Sequence, residues 1–383
     1  MKNEFVRKVA CNEKLYIASA DCGVNIAYRF LIRIDGNISV DLFDIALKKA
    51  TENCKGVNLK YHKGKWYVSD YLPKFEFVET DVDDIYMYPI SWIDYHKHSF
   101  KVGGIYHKKT GNRYISFEFI HCVCDGGSAI SFIYDVFSAL NGKPLTKYVY
   151  NITDDDIVRK YGKDNIEKPK IFLGCELKDK EIRIPAKRYN FLSTSYTRGG
   201  ISAKLVYAVS QQFTGKDVTV MIPVDLRKYI SDKDTFYFGN LTLPIFYRCS
   251  KKRKDQISAE IKEKLKNRSV LSKYNSRNFY LSFLPMFLVD FVIKSYLGFL
   301  KHRKKFILCA IVSYMGEVDK SRLVNDYFEV EDIIVQAEKY PFCTFDTFSI
   351  GFGDHLNVGI TCENGQISEK IYHDLTETIK ASV

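Results

Sequence analysis

The chain has 383 residues, 46% of them hydrophobic and 27% charged, with a formal net charge of +11. That composition excludes a disordered or fibrous chain and describes a globular one. The length exceeds one ordinary core and points to two domains or two similar lobes. Aromatic residues reach 15%, nearly all Tyr and Phe. They supply buried area and rings suited to an apolar tunnel.

Positive charge concentrates in Lys251-Lys252-Arg253-Lys254 and Lys301-His302-Arg303-Lys304-Lys305. Such runs suit phosphate-bearing cofactors, acidic carrier proteins or anionic membranes. No zinc-finger spacing or RNA-binding aromatic motif accompanies them, which argues against nucleic acid. The ten cysteines are dispersed with no C-x-x-C pair, and Met1–Lys8 lacks an apolar stretch. The expectation is a cytoplasmic protein with reduced thiols and no signal peptide.

In chain order, Tyr28–Ile34 alternates like a strand and ends at the turn signal Asp35-Gly36. Ser39 is placed to cap a helix through Leu42, Ile45, Ala46 and Ala50. Leu59–His62 and Lys65–Val68 flank Lys63-Gly64 as a hairpin. A second hairpin joins Gly104–His107 to an apolar run ending at His121. A helical run follows over Ser128–Leu140, then a break at Asn141-Gly142-Lys143-Pro144. The polar stretch to about residue 190 reads as a connecting segment.

Elements resume with a helix over Ile201–Phe213 and a buried strand within Asp217–Arg227. A strand through Tyr247 and a charged helix over Asp255–Lys266 come next. Phe279–Leu300 is long and apolar, but Pro285, Asp290 and Lys294 interrupt it. A spanning helix wants about 20 residues with few charges. A buried helix pair fits better. The basic run behind it leaves a lipid-touching surface helix, with weak membrane contact, as the other reading. Ile307–Tyr314, Asp346–Phe352 and Leu356–Cys362 read as strands, Glu363-Asn364-Gly365-Gln366 as a hairpin turn, and Ser368–Lys380 as a final helix.

The strongest chemical signal is His121-Cys122-Val123-Cys124-Asp125-Gly126, an H-x-x-x-D-G pattern between an apolar strand and a helix. An imidazole there projects into a cleft, and its ordinary pKa of about 6.5 suits proton abstraction. Asp125 either orients His121 directly or pins the turn through a buried arginine. On a strand, Cys122 and Cys124 would face away from His121, which argues against a metal site or a thiol nucleophile.

Three later segments join this motif: Ile222-Pro223-Val224-Asp225-Leu226-Arg227, Phe238-Gly239-Asn240 and Ser313-Tyr314-Met315-Gly316. In this order they resemble the CoA-dependent acyltransferase superfamily. That superfamily includes chloramphenicol acetyltransferases, peptide-synthetase condensation domains, alcohol acetyltransferases and plant acyltransferases. The resemblance runs from about residue 14 to the C-terminus. It implies an α/β fold with mixed sheets, in which two chloramphenicol acetyltransferase-like lobes form a V around a central tunnel. The lobes would span 1–145, with the motif, and 191–383, with 146–190 connecting them.

The resemblance makes His121 the general base for acyl transfer from an acyl thioester to a hydroxyl or amine. Asp125 would pair with Arg227 away from the cleft. Gly126 and Gly127 would let the loop approach the donor arm, and Ser313 and Asn240 would line the cleft or hold an oxyanion. Acyl-CoA or a phosphopantetheine thioester would be the co-substrate, with no permanent cofactor and no metal. Partners would be acyl-CoA or an acyl or peptidyl carrier protein, and a small alcohol or amine. The alternatives are a condensation-type enzyme using carrier-bound donors and a silent carrier-binding relative. Condensation domains usually carry a second histidine where this chain has Ile120, which weighs against standard condensation. The D-F-G-W-G segment of plant enzymes has only a faint echo in Ser349-Ile350-Gly351-Phe352-Gly353.

Overall fold

The computed structural model describes residues 4–162, 176–177, 188–214, 218–232, 234–250, 252–271, 284–303, 308–340, 343–362 and 369–383. The N-terminal part runs β1 (Phe5–Lys8), α1 (Cys11–Asp21), β2 (Ala27–Gly36), α2 (Val40–Asn53), β3 (Leu59–His62) and β4 (Lys65–Val68). It continues through β5 (Phe77–Thr80), β6 (Phe100–His107), β7 (Arg113–Ile120), α3 (Gly126–Leu140), β8 (Tyr148–Val149) and α4 (Asp154–Tyr161). Next come β9 (Glu176–Leu177), β10 (Arg188–Ser195), α5 (Ile201–Ser210), β11 (Phe213–Thr214), β12 (Thr219–Asp225), β13 (Phe236–Tyr237), β14 (Thr242–Arg248) and α6 (Lys254–Lys266). A helix over Met286–Arg303, strands β15 (Leu308–Val318), β16 (Phe328–Ala337), β17 (Cys343–Phe352) and β18 (His355–Cys362), and a helix over Glu369–Ser382 complete the order.

Local signals act as the residues dictate. Ser39 caps α2 by accepting from the Leu42 amide. Lys63 and Gly64 have φ of 48° and 75°. Two successive left-handed residues make the tight turn that lets β3 and β4 pair without splaying. The Glu363–Gln366 turn lies outside the described residues, as do parts of 146–190 and of both basic runs.

Two mixed sheets carry the molecule. One has the order β16-β2-β7-β6-β5 and the other β10-β18-β17-β15-β12-β14. Each has its own apolar core. The first gathers Phe43, Phe117, Phe132 and Phe137, and the second gathers Leu205, Val220, Val312 and Leu375.

A strand pairing crosses the division by sequence. Strand β16 belongs to the C-terminal stretch, yet it pairs antiparallel along β2 from Phe328↔Gly36 to Ala337↔Tyr28. A buried polar pair fixes the crossing. Arg29 Nε donates to Gln336 Oε1 at 2.8 Å, and its Nη2 donates to the Tyr88 carbonyl at 2.7 Å. Gln336 Nε2 donates to the Tyr86 carbonyl at 2.8 Å. A buried guanidinium needs such acceptors, so this register is strongly specified.

Three further expectations are revised. Residues 121–125 form a turn rather than the end of a strand, so Cys122 and Cys124 are not placed by strand alternation; both are buried in the core beneath it. Met286–Arg303 is a helix that buries one face against α1 and exposes another, so it is not fully buried, while residues 279–283 of the expected helix pair lie outside the described residues. Cys11, Cys22, Cys54, Cys122, Cys124, Cys249, Cys343 and Cys362 carry no disulfide, whereas Cys309 is disulfide-bonded, so the all-reduced expectation does not hold throughout.

Candidate active site

Strand β7 ends at Ile120, and the next residue is His121. The His121 amide donates to the Ile26 carbonyl at 3.0 Å, tying the turn to the start of β2. Burial of Cys122, Val123 and Cys124 then holds the turn from beneath. Burial also pushes both thiols well above the ordinary thiol range, so neither supplies a thiolate at neutral pH. Among the described residues no His, Cys, Asp and Glu side chains gather in a metal-binding group.

The imidazole is held between rings. Tyr16 of α1 stacks on it at 4.9 Å with planes 10° apart. Tyr28 of β2 lies 5.2 Å away, tilted by 51°. His121 is partly exposed, but Nδ1 is sealed from solvent and makes no well-aligned hydrogen bond. Desolvation lowers its pKa below the ordinary histidine value, opposed in part by its own carbonyl and by Asp125. The neutral, proton-accepting form is therefore favoured at neutral pH.

Asp125 faces a different set of partners. It caps α3, its Oδ1 accepting from the Ser128 amide at 2.9 Å. Arg227 Nη1 and Nη2 donate to its Oδ2 and Oδ1 at 3.0 Å each, and the Leu241 amide donates to Oδ2 at 2.8 Å. Both carboxylate oxygens are thus doubly occupied, and none of these bonds runs to His121. Arg227 also donates through Nε to the Tyr237 carbonyl at 2.6 Å and through Nη2 to Ser128 Oγ at 2.6 Å and the Gly239 carbonyl at 3.0 Å. Its guanidinium lies 4.9 Å over the Phe236 ring. One ion pair therefore fastens the Phe238-Gly239-Asn240 turn to the start of α3.

The glycines meet the need for close approach. A Cβ on Gly126 would lie 2.7 Å from Met315 Sδ, and one on Gly127 would lie 3.3 Å from Arg227 Nη1. Met315 thereby brings the Ser313–Gly316 segment of β15 against the His121 loop. Ser313 lies two residues away on the same strand, half-buried, and its carbonyl accepts from Ser349 Oγ at 3.0 Å. Among the described residues, no hydrogen bond or ring contact joins Ser313 to His121.

Asn240 lies beside the Tyr16 hydroxyl. Its Oδ1 accepts from Thr242 Oγ1 at 2.8 Å, while the buried Nδ2 has no well-aligned partner. It is near enough to the Tyr16 hydroxyl to lower that group's pKa, as is Tyr340. Burial outweighs both and pushes the Tyr16 phenol up to about 12. Tyr340, edge-on to Tyr16 at 5.7 Å, is pushed well above the ordinary tyrosine range. These phenols stay protonated and can donate at neutral pH.

Tyr16, Tyr28 and Tyr340 were not singled out from the sequence; only the abundance of aromatic residues hinted at them. Helix α1 is itself anchored by a buried pair: Arg7 Nη1 donates to Glu13 Oε2 at 2.7 Å, and Trp66 Nε1 donates to the same oxygen at 3.0 Å. A surface cavity bounded by Lys320, Ser321 and Leu323–Val330 includes none of the site residues.

No family model matches the chain, and no curated protein matches it significantly in sequence. Solved structures do match. Polyketide synthase associated protein 5 from Mycobacterium tuberculosis is similar at 14% identity and a TM-score of 0.65, over 100% of this chain and 98% of that one. The condensation domain of the Monacolin K polyketide synthase MokA is similar at 7% identity and a TM-score of 0.64, over 98% and 96%. A variant of the starter condensation domain of rhizomide synthetase RzmA, solved with C8-CoA, is similar at 11% identity and a TM-score of 0.62, over 100% and 95%. The chain thus has the condensation-domain, chloramphenicol acetyltransferase-like fold from end to end. At these identities the likeness speaks to fold alone.

Proposed function

We propose that this chain transfers an acyl group from an acyl thioester to a hydroxyl or amine, with His121 as general base. The observation that carries the reading is the imidazole itself. It is partly exposed, sealed at Nδ1, stacked on Tyr16 and biased toward its neutral form. Nε2 takes the proton from the acceptor, whose oxygen or nitrogen attacks the thioester carbonyl carbon. A tetrahedral oxyanion forms. The buried Asn240 Nδ2, with the protonated Tyr16 hydroxyl beside it, is the donor pair offered to that charge, and Ser313 is the weaker candidate. The C–S bond then breaks, and the thiolate recovers the proton from Nε2. Atoms and charge balance without an oxidant or further co-reactant.

Asp125 and Arg227 act through architecture. Their pair positions the turn carrying Asn240 and leaves His121 alone with the proton. In this reading the lobes span 1–145 and 191–383, with 146–190 connecting them and β16 paired to β2 of the first. The donor is acyl-CoA in this reading. A neighbour's structure contains C8-CoA, and the +11 charge suits CoA phosphates. The second reading, a carrier-bound donor, draws on the condensation domains among the neighbours. The buried Ile120, standing where such domains usually carry a further histidine, weighs against it.

The test is free-thiol release from a panel of acyl-CoAs and acyl-carrier proteins, with alcohols and amines as acceptors. Release from CoA esters by the wild type, reduced about 100- to 10,000-fold in His121→Ala, is expected. Release from carriers alone supports the second reading. Equal release by both proteins contradicts a base at His121.

A further inference from the structure

We propose that Glu317 is a positioning residue for the His121 loop: it clamps a bulge in β15 that holds Met315 against Gly126. The role rests on the acyl-transfer reading, and it comes from a carboxylate that reading does not use.

Strand β15 pairs parallel with β17, and the register slips between Tyr314↔Ser349 and Glu317↔Gly351. Three steps along β15 thus face two along β17, so the stretch holds one extra residue. Gly316 takes the bend with φ of 94°, in the left-handed region that favours glycine. The slip re-aims neighbouring side chains. Tyr314 packs on the core of the β15 sheet, whereas Met315 packs on the core of the other sheet. There its Sδ meets Gly126, in the loop that begins at His121.

Glu317 fastens the bulge from two sides. The Tyr314 hydroxyl donates to its Oε1, and the Tyr196 hydroxyl, just past the end of β10, donates to its Oε2. Arg198 Nε lies 3.8 Å from the same Oε2. Burial, and next the bond to Glu317, raises the pKa of both phenols, so both stay donors at neutral pH. In sheet order, β18 and β17 separate β10 from β15, so the Tyr196 contact must pass over β17. Gly351 leaves that path open: a Cβ there would lie 2.5 Å from Glu317 Oε2 and would collide with the Tyr196 hydroxyl. Glu317 is 36% exposed, and exposed bonds to a carboxylate add little stability. Their convergence on one group fixes geometry instead, and a small displacement near a reacting group costs rate.

The test compares Glu317→Ala and Glu317→Gln with Glu260→Ala, which removes a different phenol–carboxylate bond, from Tyr247. Glu317→Ala should lower kcat for thiol release at least about tenfold, with KM for acyl-CoA within about twofold and the melting temperature unchanged. The amide of Glu317→Gln can accept from one hydroxyl and donate to the other, so most of the rate should return. Without turnover, the His121 ring resonance in an NMR spectrum, assigned by its absence in His121→Ala, should shift in Glu317→Ala and Met315→Ala and stay in place in Glu260→Ala. An unmoved resonance in Glu317→Ala, or an equal loss of rate in Glu260→Ala, overturns the proposal. A shifted resonance in a protein whose wild type releases no thiol upholds the clamp and contradicts acyl transfer alone, so the two failures are distinct. If Glu317→Ala melts early, Tyr196→Phe, which removes one donor, reads the same quantities.

Discussion

At the scale of single residues, the site depends on how His121 is solvated. Its lowered pKa follows first from burial, and Tyr16 supplies one wall of that burial. Tyr16→Phe keeps the ring and removes the hydroxyl, so it should lower the maximal rate of thiol release while leaving the acid limb of the pH profile in place. Tyr16→Ala admits water and should move that limb up toward about 6.5, the ordinary histidine value. A purely structural tyrosine would shift neither quantity selectively. His121 was legible because its motif is local, a histidine, an aspartate and a glycine at one strand–helix junction. Tyr16 was not, because the stack joins residues on α1 and after β7 that no local pattern links.

Among elements, the Asp125–Arg227 pair does the joining. It links the start of α3, the turn after β12 and the turn before β14 through one buried carboxylate. Asp125→Ala leaves Arg227 with lost partners and should cost about 3–5 kcal/mol in denaturant-unfolding free energy. Asp125→Asn retains the cap and should cost less. If Asp125→Ala instead kept full stability and lost only activity, a direct catalytic role would replace the architectural one. The strands and helices flanking this pair followed from period and punctuation. The helix Met286–Arg303 was harder to place, since the same apolar residues serve a buried or a lipid-facing side and only packing against α1 separates them.

For the whole molecule, β16 decides how the two sheets are shared. Its partner β2 lies about three hundred residues earlier, so the pairing is set by Arg29 and Gln336 rather than by any neighbouring turn. That distance explains why the exchange escaped a reading from local pattern, although the order of the other elements did not. Gln336→Ala removes an acceptor from a buried guanidinium and should lower unfolding free energy by about 2–3 kcal/mol. A variant with an unchanged denaturation midpoint would show that the crossing is held by apolar packing alone.

The claim that one neutral imidazole carries the chemistry is tested most directly by the pH dependence of thiol release with a saturating acyl-CoA and acceptor. The wild type should show an acid limb with its midpoint below about 6.5, because desolvation favours the neutral ring. Protonation as pH falls through that midpoint should abolish the rate, and His121→Ala should lose both the limb and the activity. Retention of the limb in His121→Ala, at an undiminished rate, would assign the proton transfer to another group.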